Sequence, residues 1–539
     1  MKIFRLLFIV TIILPQFLFA QDNTPKPKKS AIRSYREMIT QPPPKDESQK
    51  IILHQYYKIT ISPQKFTVPL LKHRINVFPL ETKYDNAYPF YVEAKLKFNE
   101  IKFNQLQTVW KSDPYRLLDS TKDADKCTQL EFNRFPLYSH YSSKQNLIPV
   151  DGVDEERIYH KLDDVYKFLE KGSKSRLYNW SESAELKGIA TLLSFVQEMR
   201  ELARYLSDKA DWEIRNGKFD DAIKTIKTGL ALGNHVKNSI PYNTFVEMLV
   251  GIAINGVMYK QLFHLISQPD APNLYPALTQ YQPNTNVISV INSERSFWLL
   301  NSNFNPEILD NIDKASNEVC KNVLEEIALV LAYNTNGTSD DLYDKKAPKV
   351  SQIVSVFCVL LYQPAKQHLR DSGLSDEKIE SLSLYQIVVP YLIKRVQHFY
   401  DLMCIEATFE LGKSYSAFRS NETDIVDTLD YINPVDLFLR LVLPPTYAAQ
   451  CAVLRESQTI DRLKIIEAIR YYAAVNNGKL PESLDAITEV PVPKICPLTG
   501  RHYNYKLEGK TITIDYNIMN HPKSSTSIDN NARMQIVLE

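Results

Sequence analysis

The chain has 539 residues, 24% of them charged, and its 64 Lys and Arg residues balance 63 Asp and Glu residues. A net charge this close to zero argues against binding to nucleic acid or to an anionic membrane surface, since both need a basic face. Six cysteines in a chain of this length exclude a small disulfide-built scaffold, and their spacing does not fix which of them pair. At about 100 to 200 residues per domain, we expect about three structural units.

The first 20 residues predict a signal peptide for export. Lys2 and Arg5 form a charged start, Leu6 to Leu14 are apolar, and a cleavage site follows Ala20. An uncleaved membrane anchor is the alternative, but the apolar run ends short of the roughly 20 residues that span a bilayer. No later segment is expected to span one. We therefore predict a secreted protein, periplasmic or extracellular, with no integral membrane segment after signal cleavage.

Two regions follow the signal. Residues 21–50 contain five prolines, many lysines and serines and little apolar material, which is typical of a flexible tether. Residues 51–180 form a mixed N-terminal region. Alternating apolar residues predict an extended segment near Tyr56 to Ser62, and a helix is predicted after Asn86.

Residues 203–236 resemble one tetratricopeptide repeat, a hairpin of two antiparallel helices. Gly217 stands at the turn, and small residues stand where the two helices should touch, namely Ala210, Ala222 and Gly229. Two positions depart from the repeat pattern, because Lys209 replaces a leucine and Asn234 replaces a proline. Asp220 and Asp221 fall in the first turn of the second helix, where they complement the helix dipole better than they form an acid/base pair.

A single repeat cannot bury its own apolar faces, because at least three stacked units are normally needed. Helical periodicity continues on both sides of the repeat, although no other segment reproduces the 34-residue pattern. We therefore predict a mainly α protein in which residues 181–455 form an irregular array of helical hairpins with TPR-like α-solenoid character.

Residues 456–539 have a different composition and predict a small C-terminal α+β module. A helix ends at Asn476, Asn477 and Gly478, a proline-rich turn follows, and a β-hairpin turns near Glu508 and Gly509. This order of elements resembles the globular part of a type II secretion pseudopilin. The segment lacks the membrane helix on which pilins polymerise, and Cys496 replaces an aspartate common in that family.

Most of the mature chain resembles a group of exported planctomycete proteins to which no activity can be traced. The resemblance rests on FTVPLLKHRINVFPLE, IRNGKFDDAIKTIKTGLALGNHV, LVGIAINGVMYKQLFHLISQPDAPNLYPALT and EAIRYYAAVNNGKLPESLDAITEVPVPKICPLTG. Its most distinctive stretch, SQPDAPNLYPALT, carries Asn273, Tyr275 and Pro276, which we treat as a candidate interaction loop. A capped connection between two helices is the alternative explanation.

No complete catalytic motif is present, so the sequence assigns no catalytic residue. Gly509, Lys510 and Thr511 resemble the end of a phosphate-binding loop, but a strand follows them instead of a helix. Ser375 and Lys378 match Ser-x-x-Lys, although Ser375 is better explained as a helix N-cap. The ten histidines are never three or four residues apart, so no helix presents a local metal pair. We predict no cofactor and no metal site.

Two functional classes remain. The first is a non-catalytic scaffold of the cell envelope, whose helical array holds another envelope protein or an extended peptide. The second is a hydrolase acting on an envelope polymer, with a pair of carboxylates brought together only by folding. A pseudopilin-like secretion accessory is a further alternative. We favour the scaffold, and with it the expectation that the protein is not an enzyme.

Overall fold

The computed structural model describes residues 53–69, 72–112, 155–180, 189–240, 243–283, 285–300, 314–336, 350–408, 446–517 and 531–539. The predicted signal peptide and tether lie outside the described residues. Within them the chain is mainly helical, with thirteen α-helices and a small sheet near the C-terminus, which confirms the predicted fold class at this level.

The helices are α1 (Tyr88–Ser112), α2 (Glu155–Lys161), α3 (Asp163–Ser173), α4 (Ile189–Arg215), α5 (Phe219–Lys237), α6 (Phe245–Ile266), α7 (Tyr275–Gln280), α8 (Val287–Leu300), α9 (Asn317–Asn336), α10 (Val350–Asp371), α11 (Asp376–Glu380), α12 (Leu384–Ala407) and α13 (Thr446–Val475). The strands are β1 (Leu53–Ile61), β2 (Tyr84–Asn86), β3 (Ser175–Leu177), β4 (Asn504–Glu508), β5 (Thr511–Asn517) and β6 (Asn531–Leu538). Strands β2 and β3 form a separate two-stranded parallel sheet.

The main sheet joins the two ends of the described chain. Its strand order is β1-β6-β5-β4, in which β4, β5 and β6 are antiparallel and β1 runs parallel to β6. The predicted hairpin is present as β4 and β5, with Gly509 at a positive φ of 57° in the turn. Because β1 supplies an edge strand, this sheet contains residues from outside 456–539. Helix α13 also begins ten residues before that boundary, at Thr446.

The predicted hairpin of the repeat-like segment is formed by α4 and α5. Gly217 occupies the turn with a φ of 68°, a conformation that favours glycine. Ala210 and Ala222 are fully buried, as expected of small residues between helices. Helix α6 then packs against both α4 and α5, so that these three helices share one hydrophobic core with α13.

Helices α5 and α6 approach closely because glycines face each other. A Cβ atom built on Gly251 would lie 2.5 Å from the carbonyl oxygen of Gly233 and 2.7 Å from the backbone nitrogen of Lys237. Real Cβ atoms do not tolerate such distances, and the obstacles are backbone atoms that cannot rotate away. The contact therefore requires glycine at position 251.

A buried polar network links this helix pair to α13. The Lys237 ammonium lies 3.0 Å from Glu456, and neither side chain is more than 1% exposed. Asn255 and Tyr259 each donate a hydrogen bond to Glu456, at 2.7 and 2.9 Å. Asn255 also donates to Asn234 at 3.0 Å, which explains why asparagine replaces the proline of the repeat pattern.

Helix α6 is a long and strongly apolar helix of 22 residues. Among the described residues it is the one helix that could cross a membrane by length and composition, and 56% of its most apolar window is buried inside the protein. Buried core helices show the same composition. Its polar residues Glu247 and Asn255 are fully buried and hydrogen-bonded within the chain.

The first turn of α6 contains a buried carboxylate. Thr244 and Glu247 form a capping box, in which the Thr244 backbone N–H donates to Glu247 at 2.9 Å and the Glu247 N–H donates to the Thr244 hydroxyl at 3.3 Å. Burial raises the pKa of Glu247 from 4.5 to about 7, although these hydrogen bonds act in the opposite direction. The folded protein therefore binds a proton at Glu247 between these values that the unfolded chain releases.

His235 on α5 is a buried group that binds a proton more weakly in the folded protein than in the unfolded chain. Its Nε2–H donates to the Ser175 carbonyl at 3.2 Å, so that Nδ1 is free to accept a hydrogen bond from the Tyr91 hydroxyl at 2.7 Å. Burial lowers the pKa of His235 from 6.5 to about 4, which keeps the ring neutral. Protonation would remove the acceptor that Tyr91 uses.

These two shifts predict opposite pH dependences of stability. Between pH 4.5 and 7 the unfolded chain has lost the Glu247 proton that the folded protein keeps, so the contribution of Glu247 to the free energy of unfolding falls by about 3 kcal/mol. The contribution of His235 to the same free energy rises between pH 4 and 6.5. Glu247→Gln retains an acceptor for the cap. We expect its free energy of unfolding, relative to that of the parent protein, to increase by about 3 kcal/mol between pH 4.5 and 7.5.

Urea unfolding at both pH values measures this difference. His235→Gln serves as the control of opposite sign, because its stability relative to the parent should improve towards acid pH. A Glu247→Gln difference that does not change with pH would show that Glu247 titrates as an ordinary carboxyl group.

Candidate functional site

The candidate interaction loop lies inside the protein. Asn273 is 3% exposed and Tyr275 is 5% exposed, while Pro276 is half-buried in the first turn of α7. The Asn273 side-chain amide donates to the carbonyl oxygens of Gln64 and Glu467, at 3.2 and 2.9 Å. Its side-chain oxygen accepts from the Tyr275 backbone N–H at 3.0 Å, at the start of α7. These atoms already have partners within the chain.

A buried ion pair holds the same loop against α13. Glu467 and Arg470 are both fully buried and lie 2.8 Å apart. Arg470 also donates to the carbonyl oxygens of Ser62 and Ala271, at 3.1 and 2.8 Å. Glu467 accepts a hydrogen bond from the Leu274 backbone N–H at 2.8 Å. We call these two side chains the clamp, because they join the end of β1, the proline-rich loop and the C-terminal helix.

The structure thus gives the distinctive SQPDAPNLYPALT segment an internal role. Phe66 stacks on Tyr471 of α13, with ring centroids 3.8 Å apart, and lies 6.1 Å from the Tyr275 ring. The buried Asn273 and Tyr275 thus have the bonding of a structural connector.

An open cleft of about 520 Å³ lies elsewhere, among helices α2 to α5. We call it the α2–α5 cleft. Three aromatic rings line it, namely Tyr159, Tyr166 and Trp212. Five carboxylates and three lysines line it as well, so that acidic groups exceed basic ones by two; they are Glu156, Asp163, Glu170, Glu213, Asp221, Lys209, Lys218 and Lys224.

The floor of the cleft is an ion pair surrounded by these rings. Lys209 and Glu213 lie one helical turn apart on α4, with 2.6 Å between Nζ and Oε1 and with side chains 12% and 3% exposed. The Lys209 ammonium lies 4.9 Å from the ring centroid of Tyr166, 5.9 Å from that of Tyr159 and 5.8 Å from that of Trp212. Lys209 stands where the repeat pattern has a leucine, so the chain differs from the pattern at a residue that lines the cleft.

Glu213 is the most deeply buried carboxylate of the cleft. Its second oxygen, Oε2, is fully buried. Burial raises the pKa of Glu213 above 4.5, whereas the Lys209 ammonium and the nearby Thr225 hydroxyl act in the opposite direction. The Glu213 carboxylate is thus held inside the protein, where it fixes the Lys209 ammonium beside the rings.

The rim carries the exposed charges. Glu156 lies 3.6 Å from Lys218, and Asp221 lies 3.0 Å from Lys224. All four side chains are more than 40% exposed. Pairs of this kind contribute about 0 to 1 kcal/mol, because water screens them, so an incoming ligand can replace either partner.

The residues whose spacing resembles catalytic motifs have structural partners. The Ser375 hydroxyl accepts from the Lys378 N–H at 3.3 Å and caps α11, as predicted. Asp220 and Asp221 lie in the first turn of α5, where Asp220 also contacts His73 at 2.8 Å. The five cysteines that the structure describes form no disulfide bond with one another. Among the described residues, no group of three or more His, Cys, Asp or Glu side chains is placed to hold a metal ion.

Comparisons with protein-family models, with curated proteins and with solved structures find no match for this chain. The planctomycete and pseudopilin resemblances therefore stay predictions. The chemistry of the α2–α5 cleft has to be inferred from its own residues.

Proposed function

We propose that this protein is an exported, non-catalytic scaffold of the bacterial cell envelope, and that the α2–α5 cleft holds a segment of a partner protein. The observation that carries the proposal is the cleft itself: it is open, lined by aromatic rings, and built on a fixed Lys209–Glu213 pair. Aromatic side chains combine a large apolar area with polar edges, which suits peptide recognition.

We also propose that the helical array has TPR-like character. The cleft uses the end of α4, the turn at Gly217 and the start of α5, which together form the repeat-like hairpin. Helices α2 and α3 supply the opposite wall, as a neighbouring hairpin would in an irregular array.

A hydrolase is the second candidate, and Glu213 is the observation that favours it. A buried carboxyl group with a raised pKa next to Trp212 has the environment of a general acid in glycoside hydrolysis, and other carboxylates share the cleft. The Lys209 ammonium at 2.6 Å stabilises the charged form, which a general acid must not hold. No specific observation favours the pseudopilin alternative.

Affinity capture of the mature protein from its own cell envelope tests the proposal, with envelope polysaccharide and peptidoglycan assayed for cleavage in parallel. We expect one stoichiometric protein partner and no cleavage. Cleavage that the wild type performs and Glu213→Gln lacks, without a retained partner, would replace the scaffold with the hydrolase.

A further inference from the structure

We propose that the α2–α5 cleft recognises an arginine side chain of an extended peptide. This inference rests on the proposed scaffold function and specifies the chemistry of the partner segment. It is carried by the position of Lys218 on the Trp212 ring, by the exposed Glu156 carboxylate and by the charge of the rim.

Lys218 shows that the aromatic wall accepts a cation. Its ammonium lies 4.3 Å from the centroid of the Trp212 ring, which is the geometry of a cation–π contact. Lys218 is 42% exposed, and its ion-pair partner Glu156 is 3.6 Å away and 64% exposed. Such a loosely held side chain occupies the place that a stronger cationic group can take.

Arginine fits this place better than lysine does. A guanidinium is planar, is more weakly hydrated than an ammonium, stacks on aromatic rings and forms two parallel hydrogen bonds to a carboxylate. The cleft offers both kinds of partner, because a cation already reaches the Trp212 ring face at Lys218 and the Glu156 carboxylate that pairs with Lys218 is 64% exposed. When the peptide arginine enters, Lys218 leaves the Trp212 face and Glu156 becomes free to pair with the guest.

The excess of acid at the rim favours the same ligand. Glu156 and Asp163 are exposed on α2 and α3, and Asp221 is exposed on α5, so carboxylates flank the opening from both walls. Their field attracts a cationic segment and weakens as salt is added. An extended peptide can place one arginine in the cleft and leave its neighbours at this rim.

The test is a fluorescence anisotropy titration of the full mature protein with a labelled glycine-serine peptide that contains arginine. The matched probe carries citrulline, a neutral isostere, in place of arginine. We expect the citrulline peptide to bind at least about tenfold more weakly, and the arginine peptide to weaken as ionic strength rises. Equal binding of the two peptides would overturn the inference.

Four variants locate the effect. We expect Lys218→Met to tighten binding about threefold, since it removes the competing cation, and Glu156→Gln to weaken binding about threefold. Lys321→Met changes the net charge as Lys218→Met does, but it lies on α9 and should leave the affinity unchanged. Glu213→Gln should weaken binding about tenfold, because it leaves the Lys209 ammonium without its counter-ion beside the bound cation. Identical effects of Lys218→Met and Lys321→Met would refute a local cation site, even where Glu213→Gln fails to fold.

Free arginine amide separates a peptide from a small cationic metabolite. We expect the peptide to bind at least about tenfold more tightly, because its backbone adds contacts at the rim. Equal affinities would assign the cleft to a small molecule and overturn the peptide. If a partner is captured from the envelope but the arginine peptide does not compete with it, the scaffold stands and this inference fails.

Discussion

Replacing Arg470 with methionine is expected to lower the free energy of unfolding by about 3 to 5 kcal/mol, the cost of leaving one member of a buried ion pair without its partner. Glu467 would remain fully buried without a counter-ion, and the carbonyl oxygens of Ser62 and Ala271 would each lose a donor. Urea unfolding followed by circular dichroism measures the change.

Lys167→Met is the matched control for this prediction. Lys167 and Asp164 on α3 form an ion pair with the same three-residue spacing, 2.9 Å apart, but both side chains are about two-thirds exposed. We expect this variant to unfold at the same urea concentration as the parent protein, because water screens an exposed ion pair. Equal losses in Arg470→Met and Lys167→Met would show that the clamp does not hold β1, the proline-rich loop and α13 together.

Gly251→Ala adds a single methyl group and is expected to lower the free energy of unfolding by about 3 kcal/mol, as overpacking does in a well-packed core. The new Cβ would meet the Gly233 carbonyl oxygen at 2.5 Å, so helices α5 and α6 would have to separate. That separation would also stretch the network in which Asn255, on α6, bonds to Asn234 and Glu456. Thermal and urea unfolding of Gly251→Ala measure the loss.

Gly256→Ala, on the same helix, should change stability in the opposite direction. Apart from the adjoining residues and backbone of its own helix, no described atom lies within 4 Å of the Cβ that this variant adds. Alanine is favoured over glycine within a helix by about 1 kcal/mol, so we expect a gain of up to that size. A loss in Gly256→Ala as large as that in Gly251→Ala would mean that the close contact between α5 and α6 is not the cause.

Local features of this fold could be predicted from the sequence because neighbouring residues specify them. Glycine at position 217 fixes the turn between α4 and α5, and Gly509 fixes the turn between β4 and β5. Asn477 and Gly478 both take positive φ angles and end α13 where the sequence analysis placed its end. Each signal needs only a few adjacent residues.

The pairing of β1 with β6 could not be predicted in the same way. Ile61 lies opposite Leu538, and no local pattern states which distant strand will complete a sheet. The burial of Asn273 could not be predicted for a related reason, since composition does not reveal that its side-chain amide finds partners in the distant residues Gln64 and Glu467. Burial of a polar side chain depends on contacts that only the folded chain creates.

One feature of the sequence indicates the α2–α5 cleft. Lys209 breaks the apolar pattern of the repeat, and the structure places it over three aromatic rings beside Glu213. The ring-bearing residues Tyr159 and Tyr166 lie about 50 residues earlier in the chain, so their convergence on Lys209 could not be inferred. Departures from a repeat pattern are thus informative positions at which to look for a site.

Site-directed photo-crosslinking in the native cell envelope tests the central claim most directly, namely that the α2–α5 cleft binds a partner protein. A photoreactive amino acid replaces His160, which lines the cleft and is 74% exposed, or, as a control, Glu377, which is exposed on α11. The account predicts that position 160 crosslinks to an arginine-containing segment of one protein and that position 377 does not. The same products from both positions, or none from position 160, would contradict it.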